Sequence, residues 1–191
     1  MATNRRLVEF DGADFYPTPE WGTIALLHQE LFEGTILEPC CGDGAISKVL
    51  IRHNKHVDSF DLFDRGYGEV RDAFEITETY DNIVTNPPFA IAENLIHYFM
   101  DKFNNKMCFL LRTAFLESSG RHERLFSQKP PAYVHIFSER LSMYPAGQQG
   151  VKSGGTTSYA WFVWDKERMN SKTEVRWIPP GFKPNRRKPK V

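Results

Sequence analysis

Four consecutive residues, Asn86, Pro87, Pro88 and Phe89, bring together a side-chain amide, two prolines and an aromatic ring. Each proline fixes φ at about −65° and carries no N–H, so the backbone here is stiff and offers carbonyl acceptors without competing donors. The Asn86 oxygen and the Pro87 carbonyl can together accept both hydrogens of an exocyclic amine, while Phe89 presents a face on which a base can stack. A proline pair that merely stops a strand explains the prolines and leaves the flanking Asn and Phe to chance.

A second constellation is Glu38-Pro39-Cys40-Cys41-Gly42-Asp43-Gly44. Gly42 and Gly44 lack side chains that would hold a ligand away from the backbone, and a helix starting at Ala45 would expose amide donors beside them. The same glycines equally suit a bare tight turn, so alone they identify nothing. Asp61 stands near the end of the next strand-like run, where a carboxylate can accept from both ribose hydroxyls of a nucleoside cofactor. Asp64 competes for that role, and either acid can simply face solvent. Asp72 can accept from the amino group of the cofactor's adenine or lie at the surface.

The elements that must hold these residues are marked by apolar spacing. Trp21, Ile24, Leu27 and Leu31 predict a helix, with Thr18 as its cap, Pro19 in its first turn and Gly34 as its stop. Residues 35–38 read as a short strand, and Ile46, Val49 and Leu50 resume the helical period after the glycine turn. Strands follow at 56–62 and, weakly marked, at 69–71. Another at 80–86 stops at the prolines. Ile91, Leu95, Tyr98 and Phe99 keep a helical period, and 107–111 is a continuous apolar run suited to a strand buried on both faces. Residues 133–137 and 159–164 are two strand-like runs without a helix between them. The fold expected is therefore α/β, a doubly wound, mostly parallel sheet with an antiparallel C-terminal strand pair. Such sheets bind ligands at the carboxyl ends of their strands, where the glycine turn and the proline corner both lie.

Composition narrows the rest. The 191 residues, 41% hydrophobic and 25% charged, suit a single domain over 1–191 and exclude a disordered or fibrous chain. The formal net charge of zero argues against a non-specific polyanion binder but permits a locally basic groove. Residues 181–191 are expected to form a flexible basic tail, able to touch phosphates or merely to aid solubility, and 145–158 to form a mobile loop. Three cysteines without zinc-like spacing point to a reducing cytoplasm and to no metal site. No leader-like or membrane-length apolar run occurs, so neither export nor insertion is expected.

Together, Glu38 to Gly44 and Asn86 to Phe89 resemble the paired signature of the adenine-N6 DNA methyltransferases, particularly the small enzymes of bacteriophages, which act inside a bacterial host. Asp14-Phe15-Tyr16-Pro17-Thr18-Pro19 is similar to the upstream cofactor-binding segment of that family, and the resemblance runs from about residue 14 to about 165. It implies a Rossmann-like class I methyltransferase fold and S-adenosylmethionine as cofactor. Tyr16 and Thr18 would contact its methionine portion, and Glu38, Pro39, Gly42 and Gly44 would surround its amino-acid end. Asp61 would hold the ribose and Asp72 the adenine, while Asn86, Pro87, Pro88 and Phe89 would hold the target base. The partner implied is DNA, with RNA as the alternative. The segments 112–124 and 144–158 are the candidates for touching it. The chain departs from larger relatives in showing no separate target-recognition domain, and its oligomeric state is unmarked. Competing readings are an RNA adenine-N6 methyltransferase, a protein-glutamine methyltransferase and a non-catalytic binding protein built on the same fold.

Overall fold

The strand-like runs assemble into one eight-stranded sheet. The structure is a computed structural model that describes residues 15–144, 157–169 and 171–184. Asp14, most of the glycine-rich loop and the end of the basic tail therefore lie outside the described residues. The strands are β1 (Thr35–Glu38), β2 (His56–Asp61), β3 (Glu69–Val70), β4 (Tyr80–Thr85), β5 (Phe103–Arg112), β6 (Tyr133–Phe137), β7 (Tyr159–Asp165) and β8 (Glu174–Ile178). Their order across the sheet is β3-β2-β1-β4-β5-β7-β6-β8.

Neighbours from β3 through β5 run parallel, and β7 enters antiparallel between β5 and β6. This is the mostly parallel, doubly wound sheet with an antiparallel β6–β7 pair that the sequence predicts. The pair joins the sheet through β7, which lies against β5, and β8 adds a further edge strand parallel to β6. Strand β8 escapes a reading based on continuous apolar runs, because Glu174-Val175-Arg176-Trp177-Ile178 has none and only Ile178 is buried. An edge strand exposed on most of its surface carries little hydrophobic signal.

Helices α1 (Glu20–Gln29) and α2 (Ala45–Arg52) cover one face of the sheet and α3 (Ala92–Phe99) the other. The central strands carry mostly apolar segments, such as Met107 to Leu111 and Tyr159 to Trp164, because they bury side chains on both faces. Along β5, Met107, Phe109 and Leu111 join the α3 layer, while Cys108 and Leu110 join the α1–α2 layer. Along β7, Phe162 and Trp164 point to the first layer and Trp161 and Val163 to the second. Both indoles of β7 find an acceptor: Trp161 donates to the Gly22 carbonyl (3.0 Å) and Trp164 to the Lys129 carbonyl (2.9 Å).

Helix α1 differs from its sequence reading. It ends at Gln29, short of Gly34, and Leu31 beyond it is 82% exposed. The buried face is Trp21, Gly22, Ala25 and Leu26, with Ile24 and Leu27 only half-buried. Small residues decide this. Gly22 and Ala25 let the helix backbone approach the sheet closely enough for the Trp161 bond, and a Cβ on Gly22 would come within 2.9 Å of Leu141. Thr18 does not cap the helix, since Pro19 occupies that position without a side-chain bond. Among the described residues no helix is long and apolar enough to cross a membrane, and no cluster of His, Cys, Asp or Glu is placed to hold a metal ion.

This face assignment is testable by urea unfolding. Leu26→Ala is expected to lower stability by about 2–5 kcal/mol and Leu31→Ala by less than about 0.5 kcal/mol. Equal losses would contradict the packing described.

Candidate active site

Strand order places the site. Strand β1 pairs with β2 on one side and β4 on the other, so the chain crosses the sheet in opposite directions from β1 and leaves a crevice at the carboxyl ends of β1 and β4. The turn after β1 carries Pro39 to Gly44, and the corner after β4 carries Asn86 to Phe89.

In the turn, Gly42 and Gly44 take φ of +56° and +79°, the left-handed region that L side chains rarely adopt. They are also roofed. A Cβ on Gly42 would lie 2.2 Å from the Phe15 ring, and one on Gly44 2.4 Å from the Tyr67 ring. Asp61, at the end of β2, reaches across to the turn, and its carboxylate accepts from the Gly42 amide (2.8 Å) and the Phe63 amide (3.0 Å). Arg65 lies 3.7 Å from the same carboxylate and stacks over Phe15. Asp64 is exposed and accepts from Gly66 within its own loop (2.9 Å). Of the two competing acids, Asp61 is the one at the crevice. Asp72 is brought beside it, because Arg71 donates its amide to the Asp61 carbonyl (2.8 Å); the Asp72 side chain accepts from Phe74 (2.9 Å) and caps a short helical turn, Ala73–Glu75.

Glu38 lies beneath the turn, 1% exposed. Its carboxyl accepts from the Ser47 amide (2.8 Å) and from the Ser47 hydroxyl, tying β1 to the first turn of α2. Burial pushes this carboxyl up to about 8, outweighing the Ser47 hydrogen bonds, and Asp61 and Asp43 add to the rise. Burial likewise pushes the Cys40 thiol up and the Cys41 thiol up to about 12. Neither cysteine is a thiolate nucleophile at neutral pH. Asp43, between the two glycines, has a buried Oδ1 that takes no hydrogen bond among the described residues.

At the corner, the Asn86 amide nitrogen donates to the Tyr16 carbonyl (3.0 Å) and the Thr18 hydroxyl (3.1 Å), with the Met143 sulfur at 3.6 Å. A carbonyl can only accept, so the nitrogen must face Tyr16, and the oxygen is turned to the other side. Thr18, 5% exposed, thus orients a side chain 68 residues away in sequence. Pro87 is buried, and Pro88 and Phe89 are half-buried. The Phe89 ring meets Tyr159 at 6.0 Å between centroids, tilted by 31°, and the Arg112 guanidinium at 4.4 Å.

The structure therefore gathers Tyr16, Thr18 and Asn86 at one point, and Glu38, Gly42, Gly44 and Asp61 at the neighbouring turn, with Pro39 buried between strand and turn and Asp72 at the margin. Sequence reasoning assigned no individual role to Asp43, Phe15, Met143 or Tyr159, although the first two stand inside the motifs quoted above, and placed Arg112 only within a segment. Asp43 was detectable from its seat between two glycines. The others depend on contacts between distant parts of the chain.

No family model matches the chain, and no curated protein matches it. Solved structures do. A protein assigned as a class I S-adenosylmethionine-dependent methyltransferase from Listeria monocytogenes is similar over 84% of this chain, at 14% identity and a TM-score of 0.55. A protein assigned as a modification subunit of a type I restriction enzyme from Vibrio vulnificus is similar over 92% of this chain, at 14% identity and a TM-score of 0.60. The fold is that of the class I S-adenosylmethionine-dependent methyltransferases. A dimethyladenosine transferase from Plasmodium falciparum shares this class I methyltransferase fold over 77% of the chain and 60% of its own, at 16% identity and a TM-score of 0.51. The chain spans 64% of the Listeria protein and 50% of the Vibrio subunit.

Within this class I methyltransferase fold the buried Glu38 carries a pH signature. Its carboxyl binds a proton more tightly folded than at its ordinary value of 4.5, so the stability it contributes is fully present below about pH 4.5 and is lost as pH rises through about 8. Glu38→Gln keeps an acceptor for Ser47 and cannot ionise. Thermal melts should show the variant gaining on the native protein across that window, by as much as about 1.4 kcal/mol per pH unit. Parallel pH profiles would contradict the burial argument.

Proposed function

We propose that this chain transfers a methyl group from S-adenosylmethionine to the exocyclic N6 amine of adenine in nucleic acid, with DNA as the favoured substrate. The observation that carries the reading is the orientation of Asn86. With its nitrogen engaged by Tyr16 and Thr18, its oxygen is the atom left to meet an amine.

The residues at the glycine turn fit the cofactor. The left-handed glycines bring the backbone close, Asp61 lies at the Gly42 amide where a ribose could exchange with it, and the buried Asp43 Oδ1 takes no partner among the described residues. Carboxylates suit a ligand that carries an ammonium and a sulfonium. Asp61 would hold the ribose, Asp72 the adenine, and Gly42, Gly44 and Pro39 the amino-acid end above Glu38. When bound, S-adenosylmethionine supplies an electrophilic methyl group, so that an N–CH3 bond forms as the S–CH3 bond breaks and S-adenosylhomocysteine remains.

The chain's own part is to make the amine a nucleophile. Its lone pair is normally delocalised into the ring. The Asn86 oxygen and the Pro87 carbonyl accept its two hydrogens, favour a tetrahedral nitrogen and stabilise the positive charge that grows there, before one proton is released to water. The prolines hold both acceptors still, so little reorganisation accompanies reaction. Phe89 stacks on the base, worth about 1–3 kcal/mol, which offsets part of the few kcal/mol needed to flip a base from a duplex. Raised cysteine thiols leave no ready protein nucleophile in the turn, consistent with direct transfer.

DNA is favoured by the resemblance and order of the motifs and by the shared fold of a type I restriction enzyme's modification subunit, whereas the dimethyladenosine transferase of the same fold is named for a ribonucleoside product. The corner is blind to the sugar, so RNA is the second substrate to test. Labelled-cofactor assays on DNA, RNA and protein, with products digested to nucleosides or amino acids, should yield N6-methyladenine from DNA. Label appearing solely in protein would reject the reading. Asn86→Ala should lose at least about 100-fold in kcat, as for removal of a transition-state acceptor, with cofactor affinity retained. Asp61→Ala should weaken cofactor binding about tenfold or more by isothermal titration, as expected for a lost hydrogen bond to a charged group. Unchanged affinity would move the ribose role elsewhere.

A further inference from the structure

The ring required as a base platform is covered. Arg112, the last residue of β5, lays its guanidinium 4.4 Å from the centroid of Phe89. Tyr159, its register partner on β7, packs on the same ring and is 7% exposed, whereas Arg112 is exposed. Tyr159 belongs to the buried layer on which Phe89 packs, and the exposed Arg112 guanidinium lies over the ring. A base stacked on the face that the guanidinium covers would require the same space.

We infer that Arg112 is a placeholder on Phe89, displaced by the incoming base, and that the released guanidinium then pairs with a phosphate next to that base. This rests on the reading of Phe89 as the base platform. A guanidinium suits the role because it is planar, weakly hydrated and able to stack. It yields because a surface cation–π contact is weaker than the stacking of a whole base. Among the described residues no acid pairs with Arg112, so its departure breaks no ion pair with any of them. The other arginines of that segment differ, since Arg121 and Arg124 are both held by Glu93 (3.5 and 2.8 Å). Arg112 is thus the cation of the segment available to a phosphate. Its Cα is fixed by the β5–β7 ladder, so only the side chain need swing, and it swings to the solvent side from which a nucleotide enters.

The two halves predict effects of opposite sign. With S-adenosylhomocysteine saturating, so that the cofactor's own adenosine site is filled, Arg112→Ala should bind adenosine about two- to fivefold more tightly, the fold-change that a surface cation–π contact converts to. The same variant should bind an adenine-containing single-stranded tetranucleotide more weakly, with the slope of log affinity on log salt reduced by about 0.7. Arg112→Lys should keep the salt slope and gain adenosine affinity. Weaker adenosine binding in Arg112→Ala overturns the inference and makes the arginine the second plate of a stack. Equal adenosine binding by native protein and variant overturns the arginine's role alone. Absence of adenosine binding in both, with S-adenosylhomocysteine bound, overturns the base-platform reading as well.

Discussion

Parallel pairing of β1 with both β2 and β4 governs this molecule. Parallel strands cannot be joined by a tight hairpin, so each connection must cross over the sheet and return to the same end. Two consequences follow. Every central strand is covered on both faces, which requires the uninterrupted apolar runs of β5 and β7 and the two large tryptophans between the layers. Every turn that leaves one of the parallel strands β1 to β5 opens on one edge, so the glycine turn, Asp61, Asp72 and the proline corner converge although they are spread over residues 39–89 of the sequence.

Electrostatics at that edge follow from depth. Glu38 and Asp61 belong to adjacent strands, yet one is buried under α2 and the other is only partly covered at the turn. Burial disfavours charge on the first, whose proton is retained to about pH 8. The second accepts two backbone amides and lies beside Arg65. Two neighbouring carboxyl groups thus divide their work: one braces strand to helix, and one faces the crevice.

The corner shows how a side chain is aimed. An Asn amide has two chemically opposite ends of nearly equal size, and nothing local chooses between them. The choice is made by Tyr16 and Thr18, which come from the segment before α1 and offer acceptors to the nitrogen. The ring of Phe89 is likewise set by distant partners, Arg112 from β5 and Tyr159 from β7.

Much of this could be read from the chain alone. Strand β1 at residues 35–38, the turn after it, strand β4 ending at the prolines and the helix over residues 92–99 all follow from local rules, because apolar period, glycine φ and proline geometry act within a few residues. The residues of the corner are likewise adjacent in the chain, so their grouping is local, whereas the use proposed for them is not fixed by the fold. Long-range contacts settled the remainder: the buried face of α1, where Gly22 and Ala25 outrank Ile24 and Leu31; the edge strand β8; the turn-facing seat of Asp61 over Asp64; and the direction of the Asn86 oxygen. Each of these depends on which surface arrives opposite a residue, and that surface comes from tens of residues away, where spacing along the chain carries no information.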